Sequence, residues 1–403
     1  MDPRRNPFVP GAGVKPPEFA GRDDVIEQAS IAFDRTLGGL YANSMLLLGL
    51  RGVGKTVLLN RLHEDARAKG FETLKVEVPD NSGANLARLL VPGLSVILRR
   101  LDRIAATEDK LRSASGALRN FASIFRVEVE GLSFGVAAPS ADAGSGSLEA
   151  DLPELLRLVS DAAGVRQRAV GLFIDEVQYL SQPELSALTR ALHEAAQSGF
   201  RLIVIGAGLP QIAALVGDAK SYAERLFLFP EVGALSADAA RTAIREPLGR
   251  AGVAIMPEAL DRIVTETEGY AYFLQTWGKF SWDEADTAPI RDDDVVRAQQ
   301  AIRAYLDQSF FRARFDRCNP NEQRYLRAMA ELGPGPHQTG DIARVLQVGS
   351  SQVGVFRERL IKSGMIYSQR HGETAFTVPL FDQFMKRAIP ILEPHVPKRR
   401  ARE

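Results

Sequence analysis

The residues best suited to chemistry lie in Gly49-Leu-Arg-Gly-Val-Gly-Lys-Thr56, a G-x-x-x-x-G-K-[ST] pattern. Glycines let a backbone turn its N–H groups inward around a polyanion, a lysine ammonium reaches outer phosphates, and a threonine hydroxyl suits a hard divalent cation. Gly49, Gly52, Val53, Gly54, Lys55 and Thr56 are therefore candidates to bind ATP, with Thr56 also a candidate Mg²⁺ ligand. A second pair of groups follows the apolar run Val170-Gly-Leu-Phe-Ile174, namely Asp175 and Glu176. Beside a phosphate loop, Asp175 would hold the magnesium ion, directly or through water, and Glu176 would polarise an attacking water as general base. Without that loop the same two carboxylates would read as a solvated strand end.

These groups need a scaffold that brings them to one edge. Residues 45–48 form an unbroken apolar run, as in a strand covered on both faces. Beyond the loop the period changes to helical, with Leu58, Leu59, Leu62 and Ala66 on one face and Gly70 at the C-terminal cap. Lys55 and Thr56 thus open a helix whose positive dipole end faces the phosphates. Further strands are expected at residues 73–78, 170–174, 202–205 and 226–229, separated by helices, which gives an α/β fold with a five-stranded parallel sheet. Ligands of such sheets gather at the carboxyl edge, where Asp175 and Glu176 would stand.

The remaining organisation is a Pro-, Gly- and Arg-rich arm over 1–18, expected to be extended and not packed, and a core over 19–233. Within the core the pattern breaks down over 107–152, which reads as an insertion or lid-like loop with a hairpin at 125–136 and a flexible run at 140–147. A helical lid over 234–307 starts with Ser236 as N-cap of a helix at 237–250, followed by helices near 258–268, 271–284 and 292–307.

The chain resembles the AAA+ ATPases in three segments: Gly49–Thr56 as Walker A, Phe173-Ile-Asp-Glu176 as Walker B, and Phe19-Ala-Gly-Arg-Asp23 as the adenine-side box. Its nearest likeness is to the origin-recognition and Cdc6-like initiators and the allied bacterial ATPases, some of which shade into signalling STAND ATPases. The resemblance implies a P-loop NTPase core with the strand at 202–205 between the two motif strands, Gly21 and Arg22 on the adenine side, a helical lid and a C-terminal winged helix. It also implies that Arg225, just before the fifth strand, is an arginine finger reaching a neighbouring subunit's nucleotide. From the residues alone, Arg225 reads equally as a solvated helix end. Two family features are missing. Ile205-Gly-Ala-Gly-Leu-Pro-Gln211 offers no polar sensor at the fourth strand's end, for which Gln211 or Gln178 could substitute, and Gly269-Tyr-Ala-Tyr-Phe-Leu-Gln275 lacks the lid's sensor arginine. Slow turnover is expected.

Residues 321–378, within an expected winged-helix domain over 308–390, carry the helix, helix, helix, hairpin order of a winged helix-turn-helix. Thr339 and Ser350 are expected caps of its second and third helices, and Ser351, Gln352, Arg359 and Lys362 share the outer face of the third. With Arg370 at the wing tip beside His371, they are the candidate contacts to double-stranded DNA. From Asn319 onward there are 13 Lys/Arg against 8 Asp/Glu, the basic tail at 391–403 included, so a phosphate footprint is possible but modest. The alternative is a module that docks on the core or on a partner protein.

Composition bounds the rest. The 403 residues are 45% hydrophobic and 25% charged with zero net charge, as in a globular chain of two or three domains. The single Cys318 excludes an internal disulfide, the five histidines lack zinc spacing, and no segment is apolar enough to span a bilayer, so a cytoplasmic protein with no membrane partner is expected. The combined expectation is a Mg²⁺-dependent, slowly hydrolysing ATPase switch that binds ATP/ADP, forms a nucleotide-dependent homo-oligomer and controls a DNA-binding winged helix. The alternative is a STAND-like, nucleotide-gated signalling or defence scaffold.

Overall fold

The computed structural model describes residues 1–80, 86–102, 108–127, 145–220, 222–368, 370 and 372–392. Helix α1 (Asp23–Leu37) precedes strand β1 (Ser44–Leu48), helix α2 (Lys55–Ala68) and strand β2 (Glu72–Glu77). Helices α3 (Leu86–Asp102), α4 (Glu108–Ile124) and α5 (Leu148–Gly164) lead to β3 (Val170–Asp175), α6 (Gln182–Ser198), β4 (Leu202–Gly208), α7 (Ile212–Ala219) and β5 (Phe227–Leu228). The five strands are parallel in the order β2-β3-β4-β1-β5, so β4 lies between the two motif strands as the resemblance implied.

The unbroken apolar runs have a simple cause. Met45 and Leu47 of β1 join Phe173, Ile203 and Ile205 in a core with α1 and α2, while Leu46 and Leu48 join Leu172, Ile174 and Val204 in a second core with α3–α7. Alternate side chains point to opposite faces of a strand, and here both faces are covered, so both sets must be apolar.

Two expectations are corrected. Residues 108–124 form α4, which packs between α3 and α5 by Leu111, Ala114, Leu118 and Phe121, four residues at helical spacing. Of the hairpin expected at 125–136, residues 125–127 are not strand and the rest lie outside the described residues, as does most of the run at 140–147. The N-terminal arm, although extended, is packed. Phe8 is buried against Gly278, the Trp282 indole N–H donates to the Asp2 carbonyl at 3.0 Å, and Asn6 Nδ2 donates to the Lys279 carbonyl at 2.9 Å.

Beyond the sheet, α8 (Ala237–Arg250), α9 (Pro257–Thr267), α10 (Ala271–Glu284) and α11 (Asp292–Tyr305) form a helical block, with Ser236 Oγ accepting from the Ala239 N–H at 3.3 Å as the expected N-cap. A π-helical turn (Leu306–Phe311) and α12 (Arg312–Phe315) connect the block to a C-terminal unit of α13 (Pro320–Leu332), β6 (His337–Gln338), α14 (Thr339–Leu346), α15 (Ser350–Lys362), β7 (Ile366–Tyr367), β8 (Glu373–Phe376) and α16 (Phe381–Ala388). Its small antiparallel sheet runs β6-β8-β7. The caps of α14 and α15 fall one residue earlier than expected, on Gln338 and Gly349, and the Thr339 hydroxyl instead donates to the Gly372 carbonyl at 2.8 Å. The apolar core of the C-terminal unit is continuous with that of the helical block and one face of the sheet. An aromatic chain marks the junction, running from Tyr272 stacked on Phe310 at 4.6 Å to Phe311 at 5.4 Å and on to Phe384 at 5.3 Å.

Candidate nucleotide site

The loop between β1 and α2 owes its shape to its glycines. Gly52 and Gly54 have φ of +86° and +97°, which residues with a Cβ rarely adopt. A Cβ on Gly49 would stand 2.1 Å from the Val232 carbonyl oxygen, so close backbone approach, not dihedral freedom, requires glycine there. Gly49→Ala is accordingly expected to lower the unfolding free energy by about 1–3 kcal/mol, the usual cost of overpacking, measured as a reduced midpoint in urea at unchanged slope.

The loop borders a cleft of 580 Å³, within the range of small-molecule sites. Gly52, Val53, Gly54, Lys55, Thr56, Asp175, Glu176 and Arg22 all line it, so the structure brings together residues far apart in sequence. Gly49 stands behind the loop, and Gly21, at φ +66°, lies against Ala239 of α8 and is not part of the lining. Arg22 donates to the Val53 carbonyl at 3.2 Å and to that of Gly233, bracing the loop from the arm side.

Lys55 is buried and its ammonium donates to the Leu50 carbonyl at 2.8 Å. Burial pushes its pKa down to about 8, against the opposing pull of Glu176 and Asp175. Asp175, also buried, accepts a hydrogen bond from the Thr56 hydroxyl, and burial holds its carboxyl above the usual range. A hydroxyl and an under-compensated carboxylate sharing a hydrogen bond are hard oxygen donors that fit Mg²⁺, which takes few protein ligands and keeps its waters and phosphate oxygens. Glu176 adopts a left-handed conformation with φ +54° and ψ +41°. Its backbone N–H donates to Asp175 Oδ1 at 2.9 Å, and its carboxylate accepts from the Gln178 amide. The Gln178 carbonyl oxygen in turn accepts from the Leu209 N–H at 3.1 Å, just past β4. Of the two glutamines considered as substitute sensors, Gln178 therefore touches the carboxylate pair. Gln211 borders a different cavity, of 660 Å³, between the back of the loop and Tyr367 and Leu380.

Three contributions escape local sequence reasoning. The arm supplies Val9, Pro10, Gly13, Val14 and Glu18 to one wall of the cleft, Glu77 at the end of β2 supplies a further carboxylate, and Arg314 of α12 supplies a guanidinium from beyond the helical block. Helical spacing near Arg314 marks Phe311 and Phe315 as core but gives no sign that the charge between them lines the cleft. Arg225 is exposed and lies outside the cleft of its own chain.

The C-terminal unit touches the loop. The Arg51 N–H donates to the Thr377 carbonyl at 3.1 Å, and its guanidinium donates to the Tyr179 hydroxyl at 2.7 Å and lies against Gly364. From the helical block, the Tyr272 N–H donates to the Gly52 carbonyl at 3.1 Å and the Tyr270 hydroxyl to that of Arg51. Ser351, Gln352, Arg359, Lys362 and Arg370 are exposed, the first four on α15, whereas His371 and the basic tail lie outside the described residues. Among the described residues no helix is long and apolar enough to cross a membrane.

A family model described as an AAA ATPase domain matches residues 18–205, and one described as a domain of unknown function matches residues 308–385. No curated protein matches the chain. Among solved structures the chain is similar to the Walker-type ATPase PABY2304 of Pyrococcus abyssi, at a TM-score of 0.57 and 16% identity over 92% of this chain and 97% of that one. It is also similar to the ORC2 protein of Aeropyrum pernix, at a TM-score of 0.52 and 17% identity over 94% of this chain and 98% of that one. At these identities the likeness is one of fold. The family model covers both the phosphate loop and the Asp175–Glu176 strand, so residues 18–205 carry an AAA ATPase domain of P-loop fold, which uses ATP with Mg²⁺.

Proposed function

We propose that ATP binding and slow hydrolysis in this cleft set the posture of the C-terminal unit, a winged helix that binds double-stranded DNA, and the assembly of the chain into a homo-oligomer. The observation that carries this reading is the hydrogen bond from the Arg51 N–H to the Thr377 carbonyl at 3.1 Å, because a loop that rearranges around phosphates cannot do so without the C-terminal unit feeling it. The order helix, strand, helix, helix, strand, strand, with α15 exposed, supports the winged-helix assignment.

In this mechanism the amides of Gly52, Val53 and Gly54 hold the phosphates and Lys55 neutralises the outer ones. Thr56 and Asp175 hold Mg²⁺, which when bound supplies Lewis-acid stabilisation of charge on the transferring phosphoryl group. Glu176 accepts the proton of the water whose oxygen attacks the γ-phosphorus as the bond to the bridging oxygen breaks, leaving ADP and phosphate. Arg22 and the apolar wall from the arm face the adenosine. Slow turnover follows from the Gln178 amide, which occupies the Glu176 carboxylate that should be addressing water, and from the lack of a polar side chain at the end of β4.

A second reading, a STAND-like scaffold whose C-terminal unit makes intramolecular or protein contacts, is favoured by the packing of Gly364 and Thr377 on the loop in cis. Retention on duplex DNA across a salt series separates the two. Phosphate contacts make log K fall linearly with log salt, and Arg359→Ala with Lys362→Ala is expected to reduce that slope by about 2. No DNA binding in any nucleotide state, with a mass in solution that changes with ATP, would establish the scaffold instead.

A further inference from the structure

The 660 Å³ cavity behind the phosphate loop is also within the size range of small-molecule sites, and its lining differs in kind from that of the nucleotide cleft. The loop contributes Leu50 and Val53 to it and the C-terminal unit contributes Tyr367 and Leu380, so its walls belong to both parts. Glu231, Glu266 and Glu268 line it as well, and among the described residues no lysine, arginine or histidine does. Glu231 and Glu268 are exposed and form no ion pair with any described residue, while Glu266 accepts only a neutral partner, the Gln299 amide at 3.2 Å.

Three further observations define what such a cavity takes. Glu266 stands in the last turn of α9 and Glu268 at its C-cap, where the helix dipole favours cations, yet that turn holds no basic residue. The negative charge there is therefore uncompensated. Inside the cavity's lining, Gln211 buries its Oε1 with no donor to satisfy it, a costly arrangement that an incoming N–H relieves. Tyr270 and Phe273, with ring centres 5.0 Å apart, add aromatic surface that suits both an apolar stem and a cation over a ring face. The carboxylates come from two segments, one just past β5 and one at the end of α9, and among the described residues no three acidic side chains converge to hold a metal ion. Charge spread along a molecule answers this layout, and a point charge does not. We propose that this cavity is a second ligand site, which takes a small linear organic cation with an amine or guanidinium at each end of an apolar stem. Its carboxylates receive the charged ends, Gln211 Oε1 accepts an N–H, and the aromatic wall covers the stem.

The test is calorimetry on the full chain without nucleotide, with spermidine and agmatine as probes. One saturable site per chain is expected, with a dissociation constant at or below about 1 mM in about 0.15 M salt, where exposed charges are largely screened. Glu266→Gln with Glu268→Gln should raise that constant about three- to thirtyfold, the worth of two partly screened ion pairs. Gln211→Leu, which removes the acceptor and keeps most of the volume, should raise it about two- to tenfold. Asp286→Asn with Asp293→Asn removes the same charge from exposed positions outside the cavity and should change it less than twofold. An unchanged midpoint in urea certifies the fold of each variant. Absence of saturable binding of both probes overturns the proposal. So does equal weakening by the glutamate and aspartate pairs, which would mark diffuse counter-ion binding, or an unaltered constant in Gln211→Leu, which would place the cation outside the cavity.

Discussion

Glu176→Gln is expected to cut steady-state phosphate release by about 10²–10⁴, the usual worth of a positioned general base, while ATPγS affinity stays at its wild-type level. The substitution nearly preserves size and hydrogen-bonding capacity but removes the only function that a neighbouring amide cannot imitate, acceptance of a proton. The position is also unusual in its backbone. A non-glycine residue at φ +54° costs of order 1–3 kcal/mol, and it persists here because its N–H is fixed on Asp175 and its carboxylate is fixed by Gln178. Turnover by the variant within tenfold of wild type would mean that water is activated elsewhere, Glu77 and Glu18 being the other carboxylates in the cleft besides Asp175 among the described residues.

The parts of this molecule that could be read from its sequence are those whose physics is local. A strand covered on both faces must be apolar at every position, so Met45–Leu48 and Val170–Ile174 announce themselves, and the loop between β1 and α2 is a contiguous pattern with a mechanical reason for each residue. Ser236 caps α8 through its own next turn. The arm could not be read this way, because Phe8 becomes core only through Gly278, whose missing side chain leaves the groove that its ring fills. Helix α4 carried its signal in Leu111, Ala114, Leu118 and Phe121, but intervening Ser, Gly and Asn residues have low helix propensity and packing against α3 and α5 overrode them. Arg314 is the clearest case. In Arg312-Ala-Arg-Phe315 two arginines look alike, and only the fold exposes Arg312 beside Asp316 while half-burying Arg314 over Phe310.

Arg225 carries the other large expected effect, and it requires a second copy of the chain. Its backbone is fixed, since its carbonyl accepts from Asn43 Nδ2 at 2.7 Å and from the Tyr41 hydroxyl at 3.1 Å, yet its side chain is exposed and forms no ion pair with any described residue. It stands just before β5, the edge strand next to β1, outside its own cleft. A cation held on a rigid base at a sheet edge has nothing to neutralise in its own subunit, and if it reaches a neighbour's transferring phosphoryl group it is worth about 10³–10⁵ in rate. Specific ATPase activity is therefore expected to climb with protein concentration. Arg225→Ala should be inactive alone, as should Lys55→Ala, and mixing the two should restore activity, because the first keeps an intact loop and the second supplies the arginine. A rate per subunit that is independent of concentration, or two inactive variants that stay inactive when mixed at concentrations where they associate, would remove the role in trans and leave Arg225 as a solvated turn residue.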